Sequence, residues 1–143
     1  MILECDDVIG AANDVWTAAR GVDLAGRRVL VVEDEVLVAT TIECEICSAG
    51  AEVVGPAYTL SEALELSGEA IDVAWLNINL CGQKVWPVAQ VLTDRGIPIV
   101  FASANALGVN AVPANFADAP RFDKPVRMAA MLRTLADLTA RAA

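Results

Sequence analysis

At 143 residues, 56% of them hydrophobic and 20% charged, the chain has room for one domain with a sizeable core and is too apolar to stay unfolded. Its net charge of −9 repels a polyphosphate backbone, which argues against direct nucleic-acid binding. The longest apolar runs, such as VLVV and IPIVFA, fall far short of the ~18 residues a bilayer crossing needs, so no membrane span is expected.

Residues 2–19 place Ile2, Val8, Ile9, Ala12, Val15, Trp16 and Ala19 mostly three or four apart, the stripe of an amphipathic helix. Acids near its start and Arg20 at its end suit the helix dipole. The stripe either covers the domain's own surface or forms the seam of a homodimer. Acids also stand where a secretory signal would carry lysine or arginine, so a cytoplasmic protein is expected. GVDLAG, with two glycines, then reads as a linker, dividing the chain into an extension over 1–26 and a domain over 27–143.

From Arg28 onward, short apolar runs alternate with segments of helical period. The runs RVLVV, AEVVG, DVAWL, IPIVFA and a weak PRFD are expected strands. Between them, helices are expected at 36–49, 59–68, 83–95 and 127–141, the first three stopped by Gly50, Gly68 and Gly96. Continuously apolar strands alternating with helices describe a parallel sheet covered on both faces. One segment breaks the rhythm: Asn105 to Ala119 holds glycine, prolines and asparagines where a helix would fall, and an irregular element is expected there.

Four cysteines invite a metal or disulfide, but the chain has no histidine and no second C-x-x-C to complete a zinc shell around Cys44 and Cys47. Cys5 and Cys81 stand apart, and all four are expected to remain reduced. Trp75 falls on a central strand and reads as core, whereas Trp16 and Trp86 fall on helices.

The polar residues at the carboxyl ends of these strands carry the chemistry. Glu33 and Asp34 follow the first, Asn77 ends the third, Ser103 follows the fourth and Lys124 the fifth. In open α/β sheets ligands bind at that edge. Adjacent carboxylates are hard oxygen ligands of the kind magnesium takes, while a lysine and a hydroxyl can neutralise and hydrogen-bond a phosphoryl group. Taken singly, Glu33, Asp34 and Glu35 could be a solvated helix start and Ser103 a cap; the four loop tips together point to a phosphoryl site.

In this order VLVVEDE, DVAWLNINL, PIVFASA and FDKP resemble the receiver domain of response regulators in two-component signalling, the CheY-like family, over residues 28–141. The resemblance implies a three-layer, flavodoxin-like, doubly wound sheet of five parallel strands in the order 2-1-3-4-5. It implies a magnesium site made by Asp34, by Glu33 mainly through a water, by the side chain at position 77 and by the backbone carbonyl of Asn79. Ser103 and Lys124 would contact the phosphoryl group, and the Lys124–Pro125 bond would be cis. A histidine kinase or phosphotransferase would be the donor and a protein the downstream partner, in a bacterial phosphorelay.

The family's acceptor is an aspartate, and here position 77 is asparagine. An amide lacks the anionic oxygen that attacks phosphorus, so Asn77 cannot form an acyl phosphate, and magnesium binding is expected to weaken. Arg121 stands where many receivers carry a switching aromatic, with Phe122 beside it. Three readings follow: a non-phosphorylatable Asp-to-Asn form of a receiver that signals by protein contact, a naturally acceptorless pseudo-receiver governed by partner binding, or a small magnesium-dependent phosphohydrolase. The last lacks a glycine-rich phosphate loop.

Overall fold

The computed structural model describes residues 22–104 and 112–142. The expected helix over 2–19, the extension up to residue 21, and the stretch 105–111 lie outside the described residues.

Five runs form one parallel sheet, whose three central strands are buried on both faces almost throughout while the two edge strands are partly exposed. Its strands are β1 (Arg28–Val32), β2 (Glu52–Ala57), β3 (Val73–Asn77), β6 (Ile99–Ser103) and β7 (Arg121–Asp123), in the order β2-β1-β3-β6-β7. Counting only these five, that is the expected 2-1-3-4-5 arrangement. Among the described residues four helices cover it: α1 (Val36–Ser48), α2 (Leu60–Leu66), α3 (Trp86–Asp94) and α4 (Met128–Ala142).

Strand alternation divides the core in two. Leu30, Val32, Ala74, Leu76 and Phe101 face Ala63 of α2 and Val88, Ala89 and Leu92 of α3. Val29, Val31, Val73, Trp75, Val100 and Ala102 face Ile42 and Ile46 of α1 and Met131, Leu132 and Leu135 of α4. Leu24, within the segment read as linker, is fully buried in this second cluster and its N–H donates to the Ala49 carbonyl, so the stretch is anchored under α1. Trp75 is core, as expected, and packs against Phe122 at 5.7 Å. Burying such a side chain contributes about 2–3 kcal/mol.

The connection after β3 departs from expectation. Instead of a helix from residue 83, β4 (Asn79–Leu80) and β5 (Gln83–Lys84) form a two-stranded antiparallel hairpin, and α3 begins at Trp86. Its turn residues Cys81 and Gly82 have φ of 50° and 86°; two positive values in succession suit a tight hairpin, and glycine in the second place removes half the steric cost. Trp86 then packs edge-on against Phe101 at 5.5 Å and stacks with Phe116 at 6.0 Å. Phe116 belongs to a short 3-10 turn (Ala114–Phe116), the described part of the segment expected to be irregular.

Helix α2 starts with a reciprocal cap: Glu62 N–H donates to Thr59 Oγ1 at 3.1 Å, and Tyr58 N–H to Glu62 Oε1 at 3.0 Å. Of the three glycines expected to end helices, Gly50 and Gly96 have positive φ; Gly68 does not, because Ser67 closes α2 with right-handed backbone and its hydroxyl donates to Leu64 O. No described helix is long and apolar enough to cross a membrane.

Gly55 in β2 is the tightest backbone position. At φ 101° an added Cβ would stand 2.8 Å from Ala57 N and 3.0 Å from Val31 O, both main-chain atoms that cannot step aside. Gly55→Ala is expected to cost about 2 kcal/mol in urea denaturation, through strain and a displaced β1–β2 ladder.

Candidate functional site

The carboxyl edge of the sheet gathers the candidate residues. Glu33 and Asp34 lie between β1 and α1, Asn77 is the last residue of β3, Asn79 opens the hairpin, Ser103 ends β6 and Lys124 directly follows β7. Parallel pairing aligns these ends, since Val32 is in register with Leu76, Asn77 with Ala102 and Ser103 with Asp123.

Glu33 is fully buried and receives hydrogen bonds at both oxygens. Lys124 Nζ donates to its Oε1 at 2.7 Å, across 91 residues of chain. Its Oε2 accepts from Glu35 N–H at 3.1 Å and from Asn77 Nδ2 at 3.3 Å. Asp34 accepts from Asn77 Nδ2 at Oδ1, 2.9 Å, and from the Cys81 N–H at Oδ2, 3.0 Å. Asn77 Nδ2 makes a third contact of 2.7 Å to the Asn79 carbonyl. Glu35 stands 3.7 Å from Lys124 Nζ but is largely exposed.

Ser103 is brought to the same edge by its backbone: it is buried, and its carbonyl accepts the Lys124 N–H at 2.9 Å. The Lys124–Pro125 bond is cis, as expected, and so is Gly55–Pro56. Arg121 lies on β7, while its neighbour Phe122 packs on Trp75 in the opposite core face. Cys44 and Cys47 are partly buried on α1 and Cys81 is exposed; none of the three is in a disulfide.

Two contributors escaped the sequence reading. The peptide N–H of Cys81 holds Asp34, and Lys84 Nζ bonds Asn79 Oδ1 at 2.6 Å, steadying the hairpin whose carbonyl meets Asn77. A small turn at Cys81-Gly82 was the available signal.

The two carboxylates are driven apart electrostatically. Burial pushes the Glu33 carboxyl above its usual range, and the Lys124 hydrogen bond only partly offsets it. Burial also opposes ionisation of Asp34, but the Cys81 N–H, followed by its Glu33 neighbour and the Lys124 charge, outweighs it and leaves that carboxyl below its usual range. Asp34 therefore contributes stability at neutral pH that is lost as pH falls through its depressed value. Glu33 acts oppositely: the fold holds its proton more tightly than the unfolded chain, so the cost of its charge grows as pH rises through the raised value.

For magnesium, the donor types fit: Glu33, Asp34 and Glu35 offer carboxylate oxygens lying within 4.8 Å of one another, and Asn79 a carbonyl. Their arrangement does not, because the inner oxygens of Glu33 and Asp34 and the Asn79 carbonyl are turned onto Asn77 Nδ2.

Lys124→Met leaves the buried Glu33 charge without its main counter-ion, a change that typically costs about 3 kcal/mol. Urea denaturation should show that loss at neutral pH and a smaller one near the acid end, where Glu33 takes up a proton; an equal loss at both would remove Glu33 as the cause.

No protein-family model and no curated protein matches the chain. Solved structures do. A response regulator receiver protein from Sinorhizobium medicae is 27% identical with TM-score 0.68, covering 80% of this chain and 94% of that one. The response regulator PhyR from Brucella abortus is 30% identical with TM-score 0.67 over 87% of this chain, which spans only 52% of PhyR. The receiver domain of a Pseudomonas aeruginosa sensor histidine kinase, solved with magnesium coordinated in its active-site cleft, is 23% identical with TM-score 0.70, covering 81% and 99%. With this sheet order and these likenesses, the chain is recognised as similar to the receiver domains of response regulators and has their CheY-like fold.

Proposed function

We propose that the chain is a receiver domain of a two-component or phosphorelay system, in a form that cannot be phosphorylated, and that it signals by contact with other proteins. The observation that supports this most is the position of Asn77. It ends the central strand β3 beside two carboxylates, in the place from which a nucleophile would face a phosphoryl donor, and it presents an amide nitrogen to them. An amide nitrogen has no free lone pair for attack on phosphorus.

In this reading Lys124 and Ser103 are the groups that would meet a phosphoryl oxygen. Lys124 is engaged with Glu33 at rest, and the position of Ser103 between buried β6 and Lys124 suits a short-range donor. The chemistry that would make use of them is missing. Lacking an acceptor, the domain acts by what it binds.

A groove of about 580 Å³ beside the site supports a docking role. Leu37, Val38, Thr41, Pro125, Val126 and Met128 line it, with Glu35 and Lys124 at its edge. Leu37 is 84% exposed and Val36 58% exposed, an unusual outlay of apolar surface at the mouth of a polar pocket. A histidine kinase or phosphotransferase, presenting a helix beside its histidine, is the donor-side partner that fits such a rim, and the chain's negative charge disfavours nucleic acid.

One observation favours a second reading, a naturally acceptorless pseudo-receiver. The carboxamide at position 77 meets acceptors at 2.7, 2.9 and 3.3 Å, so the pocket accommodates asparagine as a resident. The codon at position 77 in the source gene separates the two.

Incubation with acetyl phosphate and magnesium chloride is expected to leave the intact mass unchanged. In Asn77→Asp a carboxylate oxygen attacks phosphorus, the bond from phosphorus to the acetyl oxygen breaks, acetate leaves, and the mass rises by one phosphoryl group. An adduct on the unaltered chain, or none on Asn77→Asp, contradicts the assignment. Steady release of phosphate from a phosphate ester by the purified chain would instead restore the phosphohydrolase reading. In the Asn77→Asp background, Leu37→Asp should slow phosphoryl gain from a phosphorylated kinase by about tenfold, the scale of losing one anchoring contact, while leaving gain from acetyl phosphate unchanged.

A further inference from the structure

We infer that the side-chain nitrogen of Asn77 stands in for the cation of the pocket, so that magnesium is excluded by an occupied position and not simply held less well for want of a charge. This rests on reading the strand-end cluster as the receiver pocket, and it goes beyond that reading in naming what fills it.

Three acceptors, two from the loop after β1 and one from the start of the hairpin, converge on one atom. The Asn79 carbonyl lies 2.7 Å from Nδ2, Asp34 Oδ1 2.9 Å and Glu33 Oε2 3.3 Å. These are the carboxylate and carbonyl oxygens that a hard divalent cation would take. An amide group carries only two hydrogens, so three oxygens share the partial positive charge that those hydrogens present. With no cation between them, the opposite orientation of the amide would set the Asn77 oxygen against three oxygens.

The cradle is also held from outside. Each carboxylate has its second oxygen fixed, Glu33 Oε1 by Lys124 at 2.7 Å and Asp34 Oδ2 by the Cys81 N–H at 3.0 Å. Both inner oxygens are thereby aimed inward. Asn77 itself is only 5% exposed, so it cannot swing into solvent without opening the strand end. A cation entering this point has to evict the amide nitrogen and break all three contacts, and the carbonyl oxygen gained by turning the amide is a neutral ligand. The pocket thus keeps its resting arrangement whether or not divalent ions are present.

Shortening the side chain separates a plug from a missing charge. If Asn77 were merely a poor ligand, Asn77→Ala would bind magnesium no better than the unaltered chain. If Nδ2 fills the position, removing it admits the ion. Titration with MgCl2, followed by calorimetry and by melting temperature, is expected to show no saturable binding to the unaltered chain at millimolar concentration. Asn77→Ala and Asn77→Asp should both bind at least about tenfold more tightly, with melting temperatures that rise with MgCl2 by mass action.

Equal or weaker binding by Asn77→Ala overturns the inference. Because a truncated side chain can cost the fold, a second measurement uses the unaltered protein. The 15N-edited signals of the Asn77 side-chain amide should stay in place as MgCl2 is added, and their displacement would overturn the inference as well. These metal measurements decide the occupied position alone, whereas phosphoryl gain by Asn77→Asp decides the receiver reading.

Discussion

A buried carboxylate with a single strong counter-ion organises this molecule. Glu33 has no exposed surface, and its 2.7 Å bond to Lys124 ties the loop after β1 to the loop after β7, across the two strands that separate them in the sheet. Burying an ionised group is costly unless it is paired and hydrogen-bonded. Everything around Glu33 answers that requirement: an ammonium on one oxygen, a peptide N–H and a carboxamide on the other. The polar edge is therefore as well specified as the apolar core beneath it. Trp75, Leu76 and Phe101 pack the sheet against its helices, and the strand ends deliver the charges.

Within that edge, charge is distributed unevenly by design of the backbone. Asp34 is held by a peptide N–H from a hairpin and stays readily ionised, whereas Glu33 is pushed toward its neutral form by burial and rescued by Lys124. Two adjacent acids with opposite displacements give the pocket one firm negative charge and one conditional on a distant lysine. Asn77 lies between them as an uncharged donor. A third carboxylate at that point would add repulsion which only cations could relieve; an amide brings relief with its own hydrogens. The likeness to receivers is one of fold, and in this chain the polar edge of that fold closes around an amide.

Much of this was readable from residue order. Strands buried on both faces are written as uninterrupted apolar runs, so RVLVV, DVAWL and IPIVFA declared themselves, and the polar residues that follow each run could be placed on one edge. The hairpin was not readable, because strands of two residues have no periodicity, and the apolar residues Val85, Trp86, Val88 and Ala89 extended a helical pattern backward over Gln83 and Lys84. The T-x-x-E box at Thr59 was written plainly but overlooked, and the closing glycine after α2 was assigned a backbone that Ser67 makes unnecessary. The partners of Asn77 lay beyond reach for a different reason. Two stand 43 and 44 residues away and the third is a main-chain carbonyl, which has no signature in side-chain identity.

That Asp34 is gripped by the peptide hydrogen of Cys81, a residue that is itself exposed, leaves the side chain at the hairpin tip free of that task. Evolution can exchange the residue there for anything that tolerates a left-handed turn, Asn or Gly above all, without loosening the acid below. The lip of the cavity can therefore vary in side chain while the main chain keeps its hold on the acid below.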